Sequence, residues 1–86
     1  TFQLHSNYPN PFNPITRIEY SLFENDFVEL IIYDIHGMQV HTLIDRYQTA
    51  GEHFINWDAS SYPSGVYIVK MKSGEYINTK KIMLIK

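Results

Sequence analysis

Apolar and polar residues alternate with a period of two along almost the whole chain, and this pattern limits the fold more than any other feature. Successive side chains of a β-strand point to opposite faces, so the alternation is typical of strands with one buried face. The segments that show it are ITRIEYSL, FVELIIYD, MQVHTLID, EHFINW, GVYIVKMK and YINTKKIMLIK. Thr1–His5 is a weaker first strand, and no segment has the 3.6-residue period of an amphipathic helix. The sequence therefore predicts a chain made of short strands.

The same alternation predicts which side chains face the core. The expected inward residues are Ile18, Tyr20, Leu22, Val28, Leu30, Ile32, Val40, His53, Ile55, Trp57, Tyr67, Val69, Met71, Ile82 and Leu84. In FVELIIYD, Ile31 and Tyr33 make the second face partly apolar, which indicates a strand covered on both sides.

Turn-forming residues separate these segments at intervals of about ten residues. DIHG places Asp34 first and Gly37 last, which suits a type I turn followed by a residue in the left-handed region. LFENDF, SSYPSG and KSGEY are further predicted breaks. We expect an all-β fold, an Ig-like antiparallel β-sandwich of about seven strands that spans residues 1–86 as one domain.

The segment NYPNPFNP, residues 7–14, precedes the first clear strand and contains Pro9, Pro11 and Pro14. Proline lacks the N–H that a neighbouring strand would bind, and it restricts the preceding residue to extended geometry. The segment is therefore predicted to be a stiff extended crossing outside the sheet interior, with Tyr8 and Phe12 capping the open end of the sandwich. Alternatively, its rings and amides form a loop that a partner recognises.

Charge is distributed unevenly along the chain. Residues 1–69 hold two basic residues against eight acids, whereas residues 70–86 hold five lysines against Glu75. These lysines could simply solvate a strand face and protect an edge, or they could attract an anionic partner. We expect the lysines of the last strand to project from the face opposite Ile82 and Leu84, or from the ends of that strand. Nucleic acid is not expected as a partner, because no aromatic stacking pattern accompanies the charges.

The sequence carries no recognisable catalytic or metal-binding motif. The histidines at 5, 36, 41 and 53 are isolated, and Asp34 and Asp58 are better explained as turn caps than as calcium ligands. There is no cysteine, no apolar run long enough to span a bilayer, and no signal peptide at the start of the given sequence. We therefore expect a protein that is not an enzyme and has no cofactor, metal or transmembrane segment.

Five segments in order, NYPNPFNPITRIEYSL, VELIIYDIHGMQV, AGEHFINWDAS, SGVYIVKM and KKIMLIK, resemble the C-terminal sorting domain of the type IX secretion system. The chain is also similar to the Ig-like domain of flagellar hook-capping proteins. The resemblance implies a secretion signal fused to an N-terminal passenger and read by an outer-membrane translocon in Bacteroidetes-like and related bacteria. It further implies passage through the periplasm, removal by a sortase, and a passenger that is secreted or attached to an anionic lipopolysaccharide at the cell surface.

The resemblance can be carried over to individual residues. The signature positions of the turns and strands are Asn10, Pro11, Pro14, Asp34, Gly37, Gly65 and Tyr67. The region that the family needs for export corresponds to the last strand, and the expected recognition residues there are Lys80, Lys81, Ile82, Leu84 and Lys86.

Two other functions are compatible with the sequence. The first is a carbohydrate-binding or cell-attachment module whose platform would be Tyr8, Phe12, Tyr62 or Trp57. The second is a self-assembling scaffold domain of the hook-cap type.

Overall fold

Seven β-strands make up the fold in a computed structural model that describes residues 2–86. The strands are β1 (Gln3–Leu4), β2 (Ile15–Leu22), β3 (Asp26–Asp34), β4 (Gln39–Gln48), β5 (Gly51–Asp58), β6 (Gly65–Ser73) and β7 (Tyr76–Leu84). One sheet has the order β1-β2-β5 and the other β4-β3-β6-β7, and all pairs are antiparallel. The predicted all-β sandwich of about seven strands is confirmed. The described residues contain no helix, and hence none long and apolar enough to cross a membrane.

The core lies between the two sheets and follows the predicted alternation closely. Along β2, Ile18, Tyr20 and Leu22 are buried, while the residues between them face outward. The buried residues of the facing sheet are Val28, Leu30, Ile32, Ile44, Tyr67, Val69, Met71, Ile82 and Leu84. Each large apolar side chain buried in this way contributes about 1.5–3 kcal/mol to folding, so the two-residue period is sufficient to specify the layer.

Strand β4 departs from the prediction. Val40 is only half-buried, and Ile44 is the fully buried residue of this strand. The pairing with β3 shifts between Leu30 and Ile31 and again between Ile32 and Tyr33, so β4 carries two extra residues in bulges. Val40 is itself one of the extra residues, which explains why it is only half-buried, whereas Ile44 lies opposite the buried Leu30 of β3.

The predictions of which faces of β3 and β5 are buried were only partly correct. The second face of β3 is not covered by another layer, and Ile31 and Tyr33 remain half-buried on it. In β5, Trp57 is buried as predicted, but His53 and Ile55 are only half-buried. Since β5 is at the edge of its sheet, its inward side chains are partly open to solvent.

The predicted turn at Asp34 is confirmed by its hydrogen bonds. The carboxylate oxygen Oδ1 of Asp34 accepts the backbone N–H groups of His36 and Met38 at 2.9 and 3.0 Å. The N–H of Gly37 donates to the carbonyl of Asp34 at 3.0 Å, and Gly37 has a φ of 82°. A side chain at this φ would be strained, which explains why glycine ends the turn.

Candidate recognition site at the last strand

The proline-rich segment lies along the outer edge of β7, where it acts as a short additional strand. The N–H of Phe12 donates to the carbonyl of Met83 at 2.9 Å, and the N–H of Ile85 donates to the carbonyl of Phe12 at 2.9 Å. Phe12 and Leu84 form a parallel bridge. The segment stays outside the sheet interior, as predicted, but it occupies a sheet edge, which the sequence did not indicate.

The side chain of Asn10 extends this pairing. Its Oδ1 accepts the backbone N–H of Met83 at 3.0 Å, and its Nδ2 donates to the carbonyl of Lys81 at 3.5 Å. The amide group thus takes the place that a peptide unit of a neighbouring strand would occupy. Pro11 lies beside it and lines a shallow groove of about 200 Å³ together with Lys81, Ile82 and Met83. We call this arrangement, formed by residues 10–12 on the edge of residues 81–85, the edge clamp.

Phe12 anchors the clamp in the core. Its side chain is 2% exposed, and its ring lies 5.7 Å from the ring of Trp57, measured between centroids. The predicted capping role is therefore correct for Phe12. It is wrong for Tyr8, whose side chain is 78% exposed because its bridge to Arg17 puts it on the outer face of the other sheet.

A small polar network, which no sequence pattern indicated, holds the start of the segment. The Nδ2 of Asn7 donates to the hydroxyl of Thr16 at 2.9 Å and to the carbonyl of Pro9 at 3.1 Å. The hydroxyl of Thr16 donates to the same carbonyl at 2.9 Å. Farther along, the carbonyl of Pro14 accepts the N–H of Ala59 at 2.9 Å. Both ends of the segment are thus fixed to the sandwich.

The expected recognition residues lie on different faces of the chain. Ile82 and Leu84 are each 1% exposed, as predicted, and face the core. Lys81 is exposed on the opposite face, as expected. The expectation is wrong for Lys80, because the alternation of β7 puts Lys80 on the same side as Ile82, where it is half-buried across from Val69. Lys86 follows β7, and its Nζ donates to the carbonyl of Ser60 at 2.6 Å.

The lysines of this region form no ion pair within 4.0 Å in the described chain. Lys70, Lys72 and Lys81 share the outer face of the four-stranded sheet, where Lys81 pairs across from Ile68 and Lys72 across from Ile77. Among residues 2–86, the ion pairs within 4.0 Å are His5–Glu52 and Arg17–Glu19, neither of which involves a lysine. Glu29 lies directly across from Lys72 on this face and lines a groove with Lys70 and Lys72, whereas Lys81 lies across from the apolar Ile68 and remains available to an anionic group.

The remaining signature residues converge at one end of the sandwich. Asp34, Gly65 and Tyr67 line a cleft of about 330 Å³ between the β3–β4 turn and the β5–β6 loop, and Gly37 ends that turn. The hydroxyl of Tyr67 donates to the carbonyl of Pro63 at 2.6 Å, and burial raises the pKa of Tyr67, with smaller contributions from Asp34 and Tyr62. These contacts give the signature positions in the cleft a structural role in fixing the two loops.

The aromatic residues considered as a sugar platform are mostly inaccessible. Phe12 and Trp57 are each 2% exposed, and Tyr62 is half-buried against Trp57 with 5.6 Å between ring centroids. The hydroxyl of Tyr62 is also occupied, since it donates to the carbonyl of Val40 at 3.0 Å. Only Tyr8 of this group presents its ring to solvent. Among residues 2–86, no three His, Asp or Glu side chains converge in a way that could hold a metal ion.

Comparison with protein families identifies a match over most of the chain. Residues 6–86 match the model of a family described as the secretion system C-terminal sorting domain. No curated protein matches the chain.

Proposed function

The chain belongs to the family of secretion system C-terminal sorting domains, and we propose that the edge clamp and β7 together form the surface that the export machinery reads. Membership identifies the chain as a type IX secretion signal, which directs a fused passenger to the cell surface or into the medium. The proposal concerns the location of the signal within the fold. Its recognition residues would be Lys80, Lys81 and Lys86 in direct contact, with the buried Ile82 and Leu84 holding β7 in position beneath them.

The observation that carries the proposal is the edge clamp. Strand β7 is at the edge of its sheet, where unpaired backbone groups would normally be exposed. Residues 10–12 cover that edge at residues 81–85, so a partner meets a fixed surface of backbone and side chains. A preorganised surface loses less entropy on binding than a flexible tail does.

Electrostatics support the same location. Lys81 lies in the groove beside Pro11 and also on the outer face of the four-stranded sheet, across from the apolar Ile68. Lysines without nearby carboxylates increase the encounter rate with an acidic partner and discriminate against basic ones. We therefore propose that the receptor surface on the outer-membrane translocon is acidic.

The finer steps of export are part of the proposal. The whole chain, residues 1–86, would act as one non-catalytic sorting domain without a cofactor. It would cross the periplasm with its passenger, and a sortase would then remove it and allow the passenger to be released or joined to lipopolysaccharide. Family membership and the absence of a catalytic motif in the sequence support this scheme.

The alternative functions have weaker support. A carbohydrate-binding platform would need exposed aromatic rings, and two of the four candidates are in the core. A scaffold function of the hook-cap type would rest on the general similarity of sequence alone. A secretion assay therefore has priority.

The test fuses a fluorescent passenger, preceded by an export signal for the inner membrane, to residues 1–86. It is expressed in a bacterium with an intact type IX system and in the same strain without the translocon. We expect passenger in the medium or on the surface of the first strain and in the periplasm of the second. Equal distribution in both strains would contradict the function. Mass spectrometry of the exported passenger would show whether the sorting domain has been removed.

A further inference from the structure

The two sheets have four edges, and three of them are protected. Strand β1 contains two residues, β4 is interrupted by two bulges, and β7 is covered by the edge clamp. Short edge strands, bulges and covering segments are the means by which proteins prevent strands of other chains from pairing. Strand β5 differs, because it pairs with β2 without interruption over Gly51–Asp58 and contains neither a proline nor a bulge.

The hydrogen bonds of β2 show which groups of β5 point outward. The N–H and carbonyl of Arg17 both pair with Tyr8, and the carbonyl of Glu19 accepts the N–H of His5. Arg17 and Glu19 therefore turn their backbone groups away from β5, and so do their partners in β5, Asn56 and Phe54. Among residues 2–86, no hydrogen-bond partner is found for the outward backbone groups of residues 52, 54 and 56.

We infer that this edge pairs antiparallel with β5 of a second copy of the chain. The two three-stranded sheets would then join into one six-stranded sheet about a two-fold axis. An exposed run of regular backbone donors and acceptors is completed by an extended strand, and two identical antiparallel edges satisfy each other. This inference does not depend on the proposed reading of the secretion signal.

The sequence of β5 selects one register. Only residues with outward backbone groups can exchange hydrogen bonds, so the even-numbered positions must pair with each other. When Phe54 pairs with Phe54 of the second copy, Glu52 lies opposite Asn56 of that copy. Sliding the second strand by two residues in one direction places Glu52 opposite Asp58, which sets like charges against each other. Sliding it by two residues in the other direction places Glu52 opposite Phe54 and shortens the paired stretch.

Charge complementarity between the copies supports the same register. Arg17 is the direct neighbour of Asn56 in the adjacent strand. Glu52 of one copy would therefore lie on the same sheet face as Arg17 of the second copy, two strands away, or about 10 Å between backbones. Long side chains can cross this distance, and this attraction would add to the contacts that Glu52 makes with His5 and Ser21 and that Arg17 makes with Glu19 within each chain. Phe54, which is 55% exposed and lies under the Arg17 guanidinium at 3.7 Å, would be covered at the centre.

The first test measures the mass of the 86-residue chain by sedimentation equilibrium. Pairing of one edge buries less than a standard interface of about 1,600 Å², so we expect the mass to rise toward twice 10.1 kDa between about 10 µM and about 1 mM. Asn56→Pro removes an outward N–H without removing a hydrogen bond to β2 and should weaken association at least tenfold, whereas Asn56→Ala should not. A monomeric mass throughout this range would overturn the inference.

The second test fixes the register and does not depend on how the proline variant folds. The chain has no cysteine, so a single cysteine can form a disulfide only between copies. Phe54→Cys should be cross-linked rapidly under mild oxidation, because residues in a hydrogen-bonded antiparallel pair have Cα atoms about 5.5 Å apart. Asn56→Cys is the matched control, since it would lie opposite Glu52 and far from its own counterpart. Equal cross-linking of the two variants would exclude the proposed register.

Discussion

The Oδ1 of Asn10 accepts the backbone N–H of Met83 at 3.0 Å and so joins residues that are 73 positions apart in the chain. This contact links the proline-rich segment to the last strand and shows that the segment covers the outer edge of β7. Its prolines keep it out of the sheet interior, and the amide of Asn10 still satisfies the exposed edge. Two regions that looked separate in the sequence thus form one surface.

Replacing Asn10 by Ala should loosen this surface without unfolding the domain. A hydrogen bond of this kind contributes about 0.5–1.5 kcal/mol, so the melting temperature should fall by only a few degrees. The amide of Met83 should exchange with deuterium at least several-fold faster. Asn13→Ala is the matched control, because Asn13 is exposed and lies in the same segment. Unchanged exchange at Met83 in Asn10→Ala would show that the amide does not protect the edge.

Replacing Trp57 by Ala should severely destabilise the fold. The Trp57 ring lies within 5.7 Å of the rings of Phe12, Tyr62 and Tyr67, measured between centroids. Truncation of a buried aromatic costs about 3–5 kcal/mol, which is a large part of the total stability of a domain of this size. Chemical denaturation should show this loss, and Tyr8→Ala should show almost none. Wild-type stability of the Trp57 variant would mean that this ring is not a core residue.

The sequence was sufficient to predict the sandwich, because the alternation of apolar and polar residues indicates directly which side chains of a strand are buried. It located the cores of β2, β3, β6 and β7 and the turn at Asp34. It was less successful for β4, where Val40 was expected to be the clearest inward residue but is the extra residue of a bulge, and Ile44 is the buried one. Bulges depend on how two strands fit each other, and this information is not contained in the pattern of either strand alone.

The candidate site was only partly predictable, for a different reason. The sequence singled out Asn10 and Lys81 through the family resemblance, but their contact depends on tertiary structure. The position of Lys80 on the inward side could have been read from its spacing to Ile82. By contrast, the network of Asn7 and Thr16 had no local signal, because buried polar pairs do not alter hydrophobic periodicity.

Alkaline pH should destabilise the domain through two tyrosines. Burial raises the pKa of Tyr20, although the hydrogen bond to Gln48 and the charge of Arg46 oppose the shift. Burial, followed by Asp34 and Tyr62, also raises the pKa of Tyr67. The unfolded chain therefore loses these protons first, at a pH of about 10, and stability should fall as the pH rises from there through the folded pKa values.

The measurement is the denaturation midpoint between about pH 8 and about pH 11, within the range where tyrosine titrates. Tyr67→Phe should lose the hydrogen bond to Pro63 and start from a lower midpoint, but its midpoint should fall less steeply above pH 10. Ultraviolet absorbance of the tyrosinate would report the same two titrations. A slope that is identical in the variant and in the wild type would assign the alkaline transition to other groups.

Replacing Lys80 and Lys81 by Gln should separate recognition from folding. Exposed single charges such as Lys81 usually change stability by no more than about 0.5 kcal/mol. Lys80 is half-buried, but Gln keeps part of its aliphatic stem and a polar end, and neither lysine has a carboxylate within 4.0 Å in the described chain. The melting temperature should therefore remain close to that of the wild type. If β7 meets an acidic receptor, export of a fused passenger should fall several-fold, because complementary charge sets the encounter rate and partner choice.

The matched control for this pair is Lys70→Gln with Lys72→Gln, which removes the same charge from β6 in the same sheet. Passenger should be measured in the medium, on the surface and in the periplasm of one host. A loss of export confined to the β7 pair would support recognition at the edge clamp, since only Lys81 adjoins Asn10 and Pro11. An equal loss in both pairs would indicate that total positive charge is read by the receptor. Normal export by both double variants would show that the signal does not depend on these lysines. The apolar side chains and backbone groups of β7 would then be the surface to test.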